Sequence, residues 1–353
     1  MNFAIVGCGS IGQKRRRAFR ETDHLVVAAD TVLARAEALV RESPGAVATT
    51  DWLAAVNHPA VEAVIIATTN DYLAPITIAA AEAAKHVLVE KPAARSFSEI
   101  RQVVVRIKHH PICVWVGFNH RYHPALQKAR AIVESGVLGP LMFVRGRYGH
   151  GGRIGYEREW RADPEISGGG ELLDQGVHLI DLARWFLGEF TEVCGFAKTY
   201  FWDMPVEDNA FLLLRTRNNQ AAWLHASCTE WKNLFSFEIY GRRGKLQIDG
   251  LGGSYGLERL THHKVLPEMG PPDTNVWEFP GHDVSWRHEL QGFIDRIRTG
   301  VSMTESLHDA EAVLAVVDAL YKNSQCSQPD SETLPGEKSE AASFFEFRGA
   351  IGR

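Results

Sequence analysis

Two α/β domains are predicted: a doubly wound parallel sheet of the Rossmann type over residues 1–118, and an α+β domain built on a large, mostly antiparallel open sheet over residues 119–330. Three observations predict them. Short apolar runs alternate with stretches of helical spacing through the first third. Strand-like runs separated by turn residues then follow one another through the second half. A chain of 353 residues also exceeds what a single small core usually holds.

The first third reads in order. "NFAIVG" is a short apolar run stopping at glycine, and "SIGQKRRRAFRE" after it has helical character. "HLVVAAD" ends at Asp30, and "VLARAEALVRE" returns to helical spacing. "VEAVIIAT" is nearly continuous in apolar residues, as expected where both faces of a strand are buried. The alanine-rich helix "APITIAAAEAAK", the strand "HVLVEKP", the helix "SFSEIRQVVVRIKHH" with Ser96 or Ser98 as its N-cap, and the strand "ICVWVGF" complete the alternation.

Past residue 118 the pattern changes. "NHRYHPALQKARAIVESGVLG" predicts a helix ending near Gly136. "PLMFVRGRYGH", "TEVCGFAKTYFW", "NAFLLLRTRNNQAAWLHASCTEW", "LFSFEIYGRRGKLQIDG" and "YGLERLTHHKVL" predict strands. "DVSWRHELQGFIDRIRTG" and "LHDAEAVLAVVDALYKNSQ" predict two amphipathic helices. Residues 331–353 form a tail that opens polar and closes on Phe344, Phe345 and Phe347, with no role beyond packing.

Composition narrows the partners. A net charge of -5 and a pI near 6.3 argue against nucleic acid or an anionic membrane, both of which favour a basic surface. Cys8, Cys113, Cys194, Cys228 and Cys326 are scattered, with no C-x-x-C pair, so they suggest neither a disulfide framework nor a thiolate metal site. "MNFAIVGCGS" runs straight into a strand and a glycine loop without the regions of a signal peptide, and no apolar run approaches the roughly 18 residues of a membrane helix. The reading is a cytoplasmic protein that binds a small molecule and no metal.

Chemistry concentrates at two places. "GCGSIG" puts Gly7, Gly9 and Gly12 in G-x-G-x-x-G spacing between a strand and a helix, with Ser10 and Ile11 in the same turn. This context lets a pyrophosphate sit against the first amides of the helix. Asp30, 18 residues past Gly12, stands where a carboxylate accepts from the adenosine ribose hydroxyls, which favours NAD over NADP. The basic run Lys14 to Arg17 reads as a solvated helix face.

The second place is "VEKPAA" together with "GGGELLDQGVH". Glu90 and Lys91 end a predicted parallel strand, where ligands of such sheets gather, and a lysine there can donate to a reacting oxygen. Pro92 marks a bend, with a cis bond as one form of it. Asp174 and His178 lie four apart, on one face of a predicted helix, as a catalytic acid/base pair would. Gly168 to Gly170 read as a tight turn beside the nicotinamide, and Gly176 as a position where a side chain would block a ligand.

In this order and at these separations, "GCGSIG", "HVLVEKP", "VGFNHRYHP" and "WRADPEISGGGELLDQGVHLIDLARWFLG" resemble the glucose-fructose oxidoreductase, inositol dehydrogenase and rhizopine-catabolism (Gfo/Idh/MocA) family, from residue 2 to about residue 325. The resemblance implies reversible hydride transfer between a nicotinamide and a sugar, polyol or related carbinol, and a homodimer or homotetramer formed through the C-terminal sheet. It places the family's reactive lysine at Lys91, its aspartate and histidine at Asp174 and His178, and its T-P-N segment along the cofactor at Thr68 and Asn70. The chain departs from the family where Thr69 replaces proline, Leu73 a histidine, and Ala84 the glycine before K-H-V.

The expected mechanism has His178, with an unperturbed pKa near 6.5, take the alcohol proton, Lys91 hydrogen-bond the same oxygen, and Asp174 hold a substrate hydroxyl or orient the imidazole. Arg153, Tyr156, Arg158, Trp160 and Arg161 read either as a substrate cluster, with arginines for a phosphate, carboxylate or nucleotide-sugar diphosphate and Trp160 for a sugar ring, or as a loop of solvated charges and oligomer contacts. Asn119, by resemblance, and Arg121 and Tyr122, by position near the domain junction, are further pocket candidates. The leading expectation is an NAD-dependent sugar or nucleotide-sugar dehydrogenase, with an inositol-type cyclitol dehydrogenase next. A non-catalytic dinucleotide sensor has no need of Lys91, Asp174 and His178 together.

Overall fold

The computed structural model describes residues 1–300 and 304–326, so the tail at 331–353 with its three phenylalanines lies outside the described residues. Strands β1 (Asn2–Val6), β2 (His24–Ala29), β3 (Val47–Thr49), β4 (Ala63–Ile66), β5 (His86–Glu90) and β6 (Val114–Gly117) form one parallel sheet in the order β3-β2-β1-β4-β5-β6. Helices α1 (Ser10–Arg17), α2 (Leu33–Val40), α3 (Trp52–Val56), α4 (Asn70–Glu82) and α5 (Phe97–Ile107) fill the crossovers. The sequence reading lacked β3 and α3. Ser96 caps α5 by accepting from the Glu99 amide. Ala84 sits at φ +57°, the left-handed region in which glycine is comfortable, and thereby explains the family's preference there.

Alternation along these strands sends side chains to two cores. Ala4, Val6, Val64, Ile66, Val87 and Val89 pack on one face with α4, α5 and later helices. Phe3, Ile5, Ile65, Leu88 and Trp115 pack on the other. Leu290, Phe293 and Ile294 of α9 (Ser285–Thr299) join this second core, so a helix from near the end of the chain returns to the first sheet.

The second sheet holds β7 (Leu141–Gly149), β8 (Phe190–Lys198), β9 (Asn209–Thr216), β10 (Ala221–Ser227), β11 (Leu234–Gly241), β12 (Gly244–Asp249), β13 (Glu258–Lys264) and β14 (Asp273–Phe279). Its order is β14-β13-β12-β11-β7-β10-β9-β8, antiparallel except at β7–β10. Only β14 went unpredicted. The helix expected from Asn119 divides into a 3₁₀ turn, Asn119–Tyr122, and α6 (Pro124–Glu134), because Pro124 restarts the helix as its first residue. The short α7 (Pro164–Ser167) precedes the glycines, and α8 (Val177–Leu187) covers one sheet face with Leu179, Leu182 and Phe186. The opposite face exposes Phe196, Leu213 and Trp223. Helix α10 (Glu305–Cys326) packs against α5, β6 and β8 and so touches both sheets.

Candidate active site

The ends of β1, β2 and β4 open on a cleft of about 720 Å³, at the point where the strand order reverses. Gly7, Gly9, Ser10, Ile11, Asp30 and Thr68 line it. The three glycines have different reasons. Gly7 has φ +91°, and a Cβ there would come within 2.3 Å of the Ala67 carbonyl oxygen. A Cβ at Gly12 would lie 2.0 Å from the Gly7 oxygen, so this residue brings helix against strand and does not line the cleft as expected. Gly9, which precedes α1, has no atom within 4 Å of its would-be Cβ, so only there does the missing side chain serve the cleft. Such a gap beside a helix N-terminus fits a dinucleotide pyrophosphate.

Asp30 braces this turn. Its carboxylate accepts from the Cys8 and Val32 amides, both at 2.8 Å, and Arg35 stands 3.8 Å away. Within the basic run Lys14 and Arg17 are exposed, as a solvated face requires, but Arg15 is not. Arg15 is fully buried, paired at 2.5 Å with both Glu90 and Glu289 and stacked on Trp286. Glu90 is thus engaged with Arg15 and faces the adjoining cavity rather than the cleft. Asn70 also faces that cavity and ties α4 to the glycine loop by donating to the Ser167 carbonyl at 2.8 Å.

Thr68, Trp160 and Arg161 border both the cleft and that second cavity, of about 240 Å³. Lys91, Asn119, His120, Asp174, His178 and Trp286 also wall it. Lys91 follows β5, across a cis bond to Pro92, and its Nζ donates to Asp174 Oδ1 at 2.5 Å and to the Asp174 carbonyl at 2.6 Å. Arg161 Nε donates to Asp174 Oδ2 at 3.0 Å. Burial alone would raise this carboxyl, but Lys91 and Arg161 outweigh it and hold Asp174 well below the usual carboxylate range.

Asp174 stands in a π-helical turn, Leu172–Gly176, that leads into α8, and His178 follows one turn later. Both reach the cavity, yet Asp174 does not orient the imidazole, because its oxygens belong to Lys91 and Arg161. His178 instead stacks on His120, with centroids 3.8 Å apart. Burial first, then Lys91 and His123, push its pKa well below the unperturbed histidine value of 6.5.

The glycines of this loop make room for protein, not for ligand. A Cβ at Gly168, Gly169 or Gly170 would meet Arg95, the Tyr321 hydroxyl or the Glu207 carbonyl at 2.6, 2.1 or 2.0 Å. At Gly176 it would meet Leu172 and Ala226, so that glycine packs against β10 and clears no ligand space.

Of the other candidates, only Asn119 reaches the cavity. Arg121 grips Asp181 with two hydrogen bonds, also pairs with Asp309, and lines a separate cavity together with Tyr122. Tyr156 is buried against Trp202 and His150. Arg153 pairs with Glu159 at 2.6 Å, and exposed Arg158 lies 3.4 Å from Glu157. Asn119 lines the cavity with its amide spent on Ser285 and His120. Sequence reading missed Arg15, His120, His123 and Trp286; the one available signal was the adjacency of His120 to Asn119.

Comparison with known proteins gives a consistent set of matches. Residues 1–118 match the family model described as "Oxidoreductase family, NAD-binding Rossmann fold", and residues 126–247 match the "GFO/IDH/MocA C-terminal domain". Levoglucosan dehydrogenase of Pseudarthrobacter phenanthrenivorans is 27% identical over 323 residues, covering 78% of this chain and 81% of the relative. The scyllo-inositol 2-dehydrogenase (NAD(+)) of Bacillus subtilis is 26% identical over 312 residues, covering 84% and 86%. Among solved structures, a levoglucosan dehydrogenase in complex with NADH and levoglucosan superposes with a TM-score of 0.82 at 25% identity, covering 92% of this chain and 97% of that one.

Proposed function

The chain belongs to the Gfo/Idh/MocA family of oxidoreductases, and on that premise we propose that it is an NAD-dependent dehydrogenase acting on a secondary alcohol of a neutral sugar or cyclitol. One observation carries the proposal: Lys91, Asp174 and His178 wall a single cavity that shares Thr68, Trp160 and Arg161 with the cleft of Gly9 and Asp30. Gly9, Ser10, Ile11, Asp30 and Thr68 would hold the dinucleotide, with Asp30 favouring NAD over NADP. The nicotinamide, when bound, takes or returns the hydride.

The chain's own residues manage the proton. Lys91 has three N–H donors and spends two on Asp174, which leaves one for the substrate oxygen. Asp174, held ionised, fixes the ammonium and balances its charge. His178, neutral in this setting, accepts the alcohol proton. Arg161 is committed to Asp174, and Arg153 pairs with Glu159, which also lies 3.8 Å from Arg161. These pairings suit a neutral polyol better than a phosphate or a nucleotide sugar. Levoglucosan and scyllo-inositol, named for the relatives, are such polyols.

The proposal extends to organisation. Residues 1–118 bind the cofactor and 119–330 the substrate, with α9 returning to the first sheet. The exposed Phe196, Leu213 and Trp223 on the open face of the second sheet suit a homodimer or homotetramer. Free cysteines suit a cytoplasmic setting, and no helix among the described residues is long and apolar enough to cross a membrane. The test is NADH formation with free sugars, inositols, sugar acids and nucleotide sugars. Lys91→Ala and His178→Ala should each lower kcat at least 100-fold on any polyol accepted, a loss of about 2.7 kcal/mol in transition-state stabilisation. Unchanged turnover in both variants would remove the assignment.

A further inference from the structure

His120 lies in the 3₁₀ turn after β6, is buried, and walls the 240 Å³ cavity. Its ring stacks on that of His178 with planes 20° from parallel, while Tyr148 and Phe235 meet it edge-on at 5.0 and 5.9 Å. The protonation of the ring follows from its neighbours. Ser285 donates its hydroxyl to Asp283 at 2.6 Å, which leaves Ser285 Oγ to accept from Asn119 Nδ2 at 2.9 Å. That orients the amide so that Asn119 Oδ1 faces His120 Nδ1 at 3.2 Å. An amide oxygen only accepts, so Nδ1 carries the proton and Nε2 keeps its lone pair. Burial, then His178, His123 and Lys91, keep the ring uncharged.

Among the described residues Nε2 of His120 has no hydrogen-bond partner, although it is buried. A buried acceptor left unpaired is uncommon and needs an explanation. It can be satisfied by a donor on the ligand, and a polyol brings hydroxyls. We propose that His120 is a specificity-determining residue whose Nε2 accepts from a substrate hydroxyl adjacent to the one oxidised, so that the cavity selects a vicinal diol. The inference rests on the reading of this cavity as a polyol site. The stack sets the two rings 3.8 Å apart, a separation that suits neighbouring ring hydroxyls better than hydroxyls across a sugar ring.

The test compares kcat/KM of the wild type on levoglucosan and scyllo-inositol with that on analogues in which one hydroxyl flanking the oxidised carbon is replaced by hydrogen. One analogue should lose about 10- to 100-fold, because Nε2 then stays without the donor that the parent substrate supplies. In His120→Phe the stack persists without the acceptor, and the penalty should shrink to about threefold or less. His120→Gln offers an amide donor to Asn119 and an acceptor to the cavity, and should keep most of the preference. Wild-type enzyme that oxidises every deoxy analogue within about threefold of its parent overturns the role of His120 and leaves the dehydrogenase reading standing. Failure to oxidise any polyol overturns that reading and this inference with it.

Discussion

Replacing Gly9 by alanine should separate cofactor binding from folding. Gly9 has φ −69°, open to any residue, and its added methyl would touch nothing within 4 Å. Reduced freedom of the unfolded chain favours folding by about 0.4–1 kcal/mol. Alanine is worse than glycine at the start of a helix, by about 1 kcal/mol. The two effects nearly cancel, so Tm should move by no more than about 3 °C. The methyl nonetheless enters the 720 Å³ cleft where, on the proposed reading, a pyrophosphate would meet the helix amides. Loss of one or two charge-assisted hydrogen bonds, at about 1.5–3 kcal/mol each, predicts a rise of at least tenfold in Kd for NADH. Gly12→Ala should behave in the opposite sense, because its Cβ would lie 2.0 Å from a backbone oxygen that cannot move aside. Overpacking of that kind costs about 1–3 kcal/mol or more, and Tm should fall clearly. Thermal melts with and without NAD, together with a fluorescence titration of NADH, read both quantities. Wild-type affinity in Gly9→Ala, or a melt as depressed as that of Gly12→Ala, would refute the division of labour among the glycines.

The remaining expectations concern pH. His178 must be neutral to accept a proton and its pKa is pushed well below 6.5, so kcat/KM for oxidation should lose activity only at a pH well under 6.5 and show no histidine-type rise near neutrality; an acid limb at 6.5 or above would contradict its environment. Glu289 is pushed up to about 7, by burial and by Glu90 against the opposing pull of Arg15. Its folded-state pKa exceeds the ordinary 4.5, so the native state binds the extra proton and this stabilisation, complete below pH 4.5, is lost as pH rises through 7. The span corresponds to roughly 3 kcal/mol, so Glu289→Gln should flatten the decline of Tm between pH 5 and pH 8, and an equal decline in both proteins would count against it.

The fold was legible wherever burial made a pattern. Parallel strands covered on both faces are apolar runs, and β1, β2, β4, β5 and β6 announce themselves that way. β3 has only three residues, none of them buried, and β14 is an edge strand whose first four residues are exposed. Neither leaves a clear periodic trace, because β3 turns only Ala48 toward a core and β14 only the half-buried Trp277 and Phe279 at its end. Pairing with β2 and β13 creates them, and that is a property of the sheet rather than of the segment.

At the site, residue type was legible and partnership was not. A strand end followed by E-K-P and a D-x-x-x-H helix start say what chemistry is present, and both do reach one cavity. Three glycines in a row say that space is needed, but they cannot say for whom; Arg95, Tyr321 and Glu207 take it. The same blindness affects charge. Arg15 looks solvated within K-R-R-R, and its compensation comes from Glu90 and Glu289, 75 and 274 positions away. A fully buried guanidinium without those carboxylates would be prohibitive, so the long-range pairing decides its burial. Because Glu90 immediately precedes Lys91, and Glu289 lies on α9, the helix that begins with Ser285 and Trp286, this ion cluster joins the strand end that carries Lys91, the helix after the glycine turn and the wall opposite. A residue that a sequence reading assigns to solvent therefore ties together elements on two sides of the candidate cavity.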